Sequence, residues 1–275
     1  MLSLEQLTQQ RRPRGALPSL KQQYYKYQQD RIDGFKDSLS RDELMALGDE
    51  ATAEMQAGGA DQFVLTEILM LDMVDRLILR RLKFPSYPKW RKHYQPLRQA
   101  QREPVRWGID PSAAIASMLP RLEPMDNVLI VGAGAQAEAF LLAAHDTEIT
   151  FLDEDIGVVE QLETRMAGES LGSQFMAFVA VLGEWLPPLE RELHLVVLDA
   201  GTLAALSHAN RTALLLGVRN LTRAGGVHVI VPGSGPAAPE AYLSHYPDWD
   251  REAQPGNRRG RASRSRGVIL TRPNQ

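Results

Sequence analysis

Apolar positions follow one period in the first 110 or so residues of this chain and another period beyond. In the first part they recur every three or four positions. Val64, Ile68, Leu71, Val74, Ile78 and Leu82 have the spacing of a buried helical face. Leu20 to Phe35 carries Tyr24, Tyr25, Tyr27, Ile32 and Phe35, a partly aromatic helix face. Ser40 with Glu43 reads as a capping box opening the next helix, which Gly58-Gly59 ends. Leu2 to Arg11 reads as a short helix stopped before Pro13. Phe84 to Pro88 reads as a turn, and Lys89 to Arg102 as a basic, aromatic stretch interrupted by Pro96. With no β-rich run among them, residues 1–109 are expected to form a helical N-terminal domain.

From residue 110 the pattern alternates. Asp110 is expected to cap a helix through Leu119. Asn127 to Asp155, NVLIVGAGAQAEAFLLAAHDTEITFLDED, reads as strand, glycine turn, helix and strand. Val128 to Val131 is an unbroken apolar run, as in a parallel strand covered on both faces. Gly132-Ala133-Gly134 turns the chain, Ala137 to Ala144 is rich in helix formers, and Glu148 to Leu152 returns with Asp153 at its carboxyl end. Right-handed crossover makes these strands parallel neighbours. A helix over Ile156 to Met166 and strands over Gln174 to Val181 and Leu193 to Leu198 follow, then a helix over Leu206 to Thr222. Arg223-Ala224-Gly225-Gly226 is read as a break before a strand over Val227 to Pro232. After a short helix over Pro239 to His245, strands around Trp249 to Gln254 and Gly267 to Thr271 are joined without a helix. They should pair antiparallel. The expected fold class is α/β, a mostly parallel seven-stranded sheet with an antiparallel C-terminal hairpin over residues 110–275.

Composition narrows the reading. A chain of 275 residues suits one large α/β domain, or one with a helical appendage. A formal net charge of −3 argues against wholesale nucleic-acid or membrane binding and leaves room for local patches. The absence of cysteine rules out disulfides, thiolate zinc sites and cysteine nucleophiles, and suits the cytosol. The N-terminus is too polar for a secretory segment. Glu67, Asp72, Asp75, Arg76 and Arg80 interrupt the most apolar helical stretch, so a soluble cytoplasmic protein is expected. The histidines have no metal-ligand spacing, and no metal site is expected.

The chemistry centres on the glycine turn. Glycines let a ligand approach the backbone, the helix start offers N–H groups to an oxyanion, and a carboxylate about twenty residues later can accept both hydroxyl protons of a ribose. Gly132, Gly134 and Asp153 therefore predict a nucleoside-containing ligand; the alternative is a plain βα turn whose acidic cluster caps the next helix at Asp155. Asp199, at the end of the fourth strand, is a candidate general base or a cap for the following helix, and His208 is a second candidate or a surface histidine. Trp90, Arg91, Lys92, His93 and Tyr94 would grip phosphates or lie on a snorkelling surface helix. Arg258, Arg259, Arg261, Arg264 and Arg266 crowd one loop that would recruit RNA, a phosphorylated ligand or an acidic protein, or form a solvated hairpin tip.

In this order the elements of residues 110–273 resemble a class I S-adenosylmethionine-dependent methyltransferase domain, with its Rossmann-like sheet. VLIVGAGAQAEAF is similar to the family's first motif, Asp153 to its ribose-binding acid, and LTRAGGVHVIVP to its helix, double-glycine turn and fifth strand. Leu182 to Pro187 resembles the stretch after the third strand, which implies Glu184 accepting from the adenine amine and Trp185 stacking on the ring. The resemblance implies S-adenosyl-L-methionine as cofactor, held by Val131, Gly132, Ala133, Gly134, Gln136, Asp153, Glu154, Gly183, Glu184, Trp185 and Asp199. It also implies methyl transfer to a small-molecule acceptor. Ile130 and Gln136 depart from the family's acid and third glycine, which bears on binding of the methionine amino group. Asp199-Ala200-Gly201-Thr202 is not the signature of exocyclic base-amine methylation, and without cysteine the covalent C5 route is excluded. Gly132, Gly134 and Ala137 also satisfy the dinucleotide pattern, so an NAD(P)-dependent oxidoreductase is an alternative. A non-catalytic methyltransferase-like binding module is another.

Overall fold

The computed structural model describes residues 18–57, 67–169, 171, 173–189, 191–233, 236–252 and 267–274. They fall into two compact units that divide between Pro96 and Leu97. The first contains α1 (Leu20–Asp37), α2 (Arg41–Ala57) and α3 (Glu67–Arg81), and α4 (Tyr87–Gln101) spans the division. Ser19 and Gln22 close a capping box on α1 that sequence reading did not find. On α2 the expected box is present: Ser40 N donates to Glu43 Oε2 at 2.8 Å, and Glu43 N to Ser40 Oγ at 3.4 Å.

Ile32, Leu47, Ala51, Leu77 and Ile78 make the apolar core of this unit. Leu71, expected on the same buried face, is 52% exposed. Leu69 and Met70 are exposed with it, because this turn of α3 extends past the residues that cover Leu77 and Ile78. Val64 and the Leu2 to Arg11 helix lie outside the described residues. The expected turn at Phe84 to Pro88 is shorter, since Tyr87 and Pro88 open α4, where proline has no intrahelical bond to lose. Pro96 does not interrupt α4. Its basic–aromatic segment divides by side: Trp90 and Tyr94 are buried, stacked at 4.3 Å with Tyr24 5.4 Å from Trp90, while Arg91, Lys92 and His93 are exposed.

The second unit opens with a 3-10 turn at Pro104–Trp107 and α5 (Ala114–Met118). Asp110 does not cap α5. Its Oδ1 accepts from the amide and hydroxyl of Ser112, closing a local turn before the helix starts. Then follow β1 (Asn127–Val131), α6 (Gln136–Ala144), β2 (Glu148–Asp153), α7 (Ile156–Gly168), β3 (Phe175–Val179), β4 (Leu193–Asp199), α8 (Ala200–Ala205), α9 (His208–Leu221), β5 (Thr222–Val231), β6 (Asp250–Arg251) and β7 (Val268–Thr271). The seven strands run β3-β2-β1-β4-β5-β7-β6, with β1 to β5 parallel and β7 antiparallel to both β5 and β6. This is the expected mixed sheet with its closing hairpin.

Three details differ from the sequence reading. The short helix α8 lies between β4 and the helix expected from Leu206, where no element was expected. The strand expected over Trp249 to Gln254 is formed only at Asp250 and Arg251 among the described residues, with Glu252 N still donating to Ile269 O at 3.1 Å. The double glycine does not precede β5 but lies within it. Leu193 pairs with Thr222 and Leu195 with Val227, so residues 223–226 bulge from the strand, with Gly225 at φ 69°.

Apolar side chains fill both faces of the sheet, Val128 and Ile130 on one and Leu129 and Val131 on the other. Every residue of α6 from Glu138 to Ala144 is buried. Its side away from the sheet is covered in part by Trp107, stacked on Phe140 at 4.9 Å.

On the opposite face, fully buried His228 joins β5 to its surroundings. Thr222 Oγ1 donates to Val218 O at 2.6 Å, so it accepts from His228 Nε2–H at 2.8 Å. Nδ1 is then left to accept from the Tyr246 hydroxyl at 2.9 Å. Burial, with Arg219 and Arg272 nearby, pushes the His228 pKa down to about 3. Between that value and the ordinary 6.5 the unfolded chain binds a proton that the folded chain refuses, so stability is lost as pH falls. Denaturation curves at pH 7 and pH 5 should show the parent losing about 1–2 kcal/mol more than His228→Gln, which has no proton to take up.

Candidate functional site

The carboxyl ends of β1, β2 and β4 meet at one edge of the sheet. Val131 ends β1 with its side chain buried, so only its backbone can face a ligand. Gly132 turns at φ 100°, where a side chain is strained, and a Cβ there would lie 2.3 Å from Thr202 Oγ1. Its amide donates to Leu152 O at 2.9 Å, tying the turn to β2. The next residue of β2, Asp153, is 7% exposed. Its Oδ1 accepts from Asp155 N at 2.9 Å, and the amides of Ala133 and Glu154 also stabilise its charge. Burial outweighs them and raises its pKa. Glycine turn and acid therefore stand side by side, as the βαβ reading requires. Asp155 meanwhile caps α7 through Gly157 N at 2.8 Å.

Glu154 Oε1 accepts from Leu182 N at 3.0 Å and fastens the segment after β3 to the end of β2. In that segment Gly183 has φ 89°, and a Cβ there would lie 2.2 Å from Asn210 O of α9. Glu184 is exposed, and Trp185 is 46% exposed and edge-on to Phe178 at 6.3 Å. Ile156, at the start of α7, is 62% exposed. His208 opens α9 on the surface. Arg258, Arg259, Arg261, Arg264 and Arg266 lie outside the described residues.

Asp199 is 4% exposed and fully engaged. Its oxygens accept from Gly134 N at 3.3 Å, Gly201 N at 3.1 Å, Thr202 N at 3.0 Å and Thr202 Oγ1 at 2.8 Å. It caps α8 and at the same time grips the glycine turn. A Cβ on Gly134 would lie 2.5 Å from Asp199 Oδ1, and one on Gly233 2.4 Å from it. The space left by the missing side chain of Gly134 is thus filled by this chain's own carboxylate, and the Gly134 amide, expected to be open to a ligand, is already bonded.

Sequence reading missed Glu138, in the first turn of α6. It is 9% exposed, and its Oε2 is buried with no hydrogen-bond partner. Burial first, with the nearby charge of Asp199, raises its pKa to about 7. The signal was a lone acid in the otherwise apolar stretch Ala137 to Ala144. Also unforeseen is a cleft of about 580 Å³ lined by Arg106, Trp107, Ala133, Gly134, Gln136, Ala137, Phe140, Arg165 and Glu169. Gln136 lies here, its Oε1 accepting from Arg165 at 3.4 Å. Among the described residues no cluster of three or more histidine or acidic side chains is placed to hold a metal, and no helix is long and apolar enough to cross a membrane.

No family model matches the chain, and no curated protein does. It is similar in fold to solved structures of class I S-adenosylmethionine-dependent methyltransferases. The glycopeptide N-methyltransferase MtfA is 16% identical, over 62% of this chain and 98% of that one, with a TM-score of 0.46. The N-methyltransferase NodS from Bradyrhizobium japonicum WM9 is 13% identical, over 58% and 92%, with a TM-score of 0.43. A TehB-like SAM-dependent methyltransferase from Corynebacterium glutamicum is 14% identical, over 67% and 99%, with a TM-score of 0.44. At these identities and TM-scores the likeness is one of fold, not of chemistry.

Two substitutions test the corner. Asp199→Asn turns one acceptor into a donor facing donors and should lower stability by about 1–3 kcal/mol, read from denaturant midpoints. For Glu138 the folded pKa is raised, so its stabilising contribution is complete below about 4.5 and lost as pH rises through about 7. Glu138→Gln should therefore be more stable than the parent at pH 8, by on the order of 2–3 kcal/mol, with the gap closing toward pH 5.

Proposed function

We propose that this chain binds S-adenosyl-L-methionine at the carboxyl edge of its sheet and passes the methyl group to a small-molecule acceptor. The observation that carries the reading is the juxtaposition of Gly132–Gly134 with Asp153 across the paired ends of β1 and β2. Ligands of open α/β sheets bind at this edge, and a buried carboxylate one strand from a glycine turn suits a ribose diol. The surroundings fit the rest of the cofactor. Ile156 and Trp185 expose apolar surface at the ends of β2 and β3, and Glu184 is exposed beside them, which suits the faces and exocyclic amine of a purine.

When bound, the cofactor supplies a methyl group already activated by its sulfonium. The chain's own part is placement. Asp153 holds the sugar, and Ile156, Glu184 and Trp185 receive the base. Asp199 keeps the glycine turn in register with β4, so the reacting atoms meet along one line. Alignment of this kind supplies much of the rate of a displacement, with little call for acid or base from the protein. Asp199 serves here as a positioning residue, since every polar contact it makes is to a donor of the turn or of α8. The same engagement of Asp199 favours a second reading, a binding module without catalysis. Such a module would take up the cofactor and never consume it. A sheet closed by an antiparallel strand suits an NAD(P)-dependent oxidoreductase less well.

Calorimetry with S-adenosylhomocysteine and, separately, NADH tests the proposal. S-adenosylhomocysteine should bind, and Asp153→Ala should weaken it at least tenfold, the loss expected for hydrogen bonds to a charged acceptor. Binding of NADH alone, or of neither, would overturn it.

A further inference from the structure

We infer that the cleft between the turn Pro104–Trp107, the start of α6 and the end of α7 is a binding site for a small ligand bearing an oxyanion, a phosphate monoester or a carboxylate, whose apolar body lies against Trp107. The inference does not rest on methyl transfer. Ala133, Gly134 and Gln136 of the glycine turn line part of this cleft, but Asp153, Glu184, Trp185 and Asp199 do not.

A volume of about 580 Å³ is within the range that small-molecule sites occupy. Its charge is unbalanced. Arg165 is exposed and makes no ion pair among the described residues. Its polar contact is the long 3.4 Å bond to Gln136 Oε1, and its guanidinium lies 4.7 Å from the centre of the Phe140 ring. Arg106 lies over Trp107 at 5.5 Å and reaches Glu169 only at 4.0 Å. That same Glu169 oxygen already accepts from Gln101 Nε2 at 3.0 Å. Two guanidinium groups thus face one carboxylate that is already bonded.

Guanidinium groups resting on aromatic rings keep their donor edges free, and their planar fork matches phosphate and carboxylate oxygens. The first turn of α6 adds to this. It lacks a side-chain cap, and Gln136 and Ala137 bring its positive end to the cleft wall. Trp107 is half-buried with Phe140 behind it, a fixed apolar wall beside the charged groups. A neutral ligand would leave both arginines unused. A cation would be repelled.

Calorimetry with phenyl phosphate, phenylacetate and neutral phenol tests the site on the full chain, with Arg106→Gln, Arg165→Gln and Arg165→Lys, each checked for fold by circular dichroism. At least one anion should bind tenfold or more tightly than phenol. Each glutamine variant should lose about tenfold, and Arg165→Lys, which keeps charge without the fork, should lie between. Preference for phenyl phosphate assigns the site to phosphate monoesters, and preference for phenylacetate to carboxylates. Affinity unchanged in the arginine variants, phenol binding as well as the anions, or no binding of either anion would overturn the inference. So would competition by S-adenosylhomocysteine, which would merge the cleft with the sheet edge. Failure of S-adenosylhomocysteine to bind at all leaves this site standing and removes only the methyl-transfer reading.

Discussion

The carboxylate of Asp199 is the point at which the edge of this sheet is fastened. Two backbone amides beyond β4, the amide of Gly134 and the Thr202 hydroxyl converge on its two oxygens. An acidic side chain out of water is costly unless its oxygens are met by donors, and here four meet them. The requirement spreads outward. Gly134 and Gly233 must lack side chains because the carboxylate occupies the space. Gly132, already at positive φ, has no room for a side chain because Thr202 stands beside it. The position of the turn relative to Asp153, on which nucleoside binding depends, is therefore set from the far side of β1. Glu138 completes the picture, since its burial, with the charge of Asp199 nearby, holds it toward its neutral form.

Much of the framework was legible in the sequence. The apolar runs of β1, β2 and β4, the glycine turn and the acid at the end of β2 are local signals, and β7 was marked by GVILT after a segment without helical period. The features that escaped depend on contacts remote in the chain. Whether Asp199 is exposed or enclosed is decided by Gly134 and Gly233, which no spacing rule connects to it. The cleft needs Arg106 and Arg165 around one space, brought together only when the turn at Pro104–Trp107 lies over α6. Short elements were hard for another reason: α8 has too few residues to show a period, and the glycines in β5 look like a break because a bulge and a turn use the same residues.

On α3, periodicity promised a burial that Leu71 does not have, because a helix carries its period past the end of the surface that covers it. In α4 the mixture of rings and bases resolved by side, rings inward and charges outward. Both cases show that a repeating pattern fixes which side of a helix can be covered, while the neighbouring elements fix how far along it the cover extends.

The enclosure of α6 carries a consequence for the motions of the second unit. The sheet covers one flank of this helix and Trp107 shields part of the other, so past its first two residues water reaches the peptide groups chiefly when one of those layers comes apart. Its amide hydrogens should then be among the last in the chain to trade for deuterium, at a rate set by the opening of the whole unit rather than by fraying. The helix that begins at the glycine turn would thus keep time for the entire sheet.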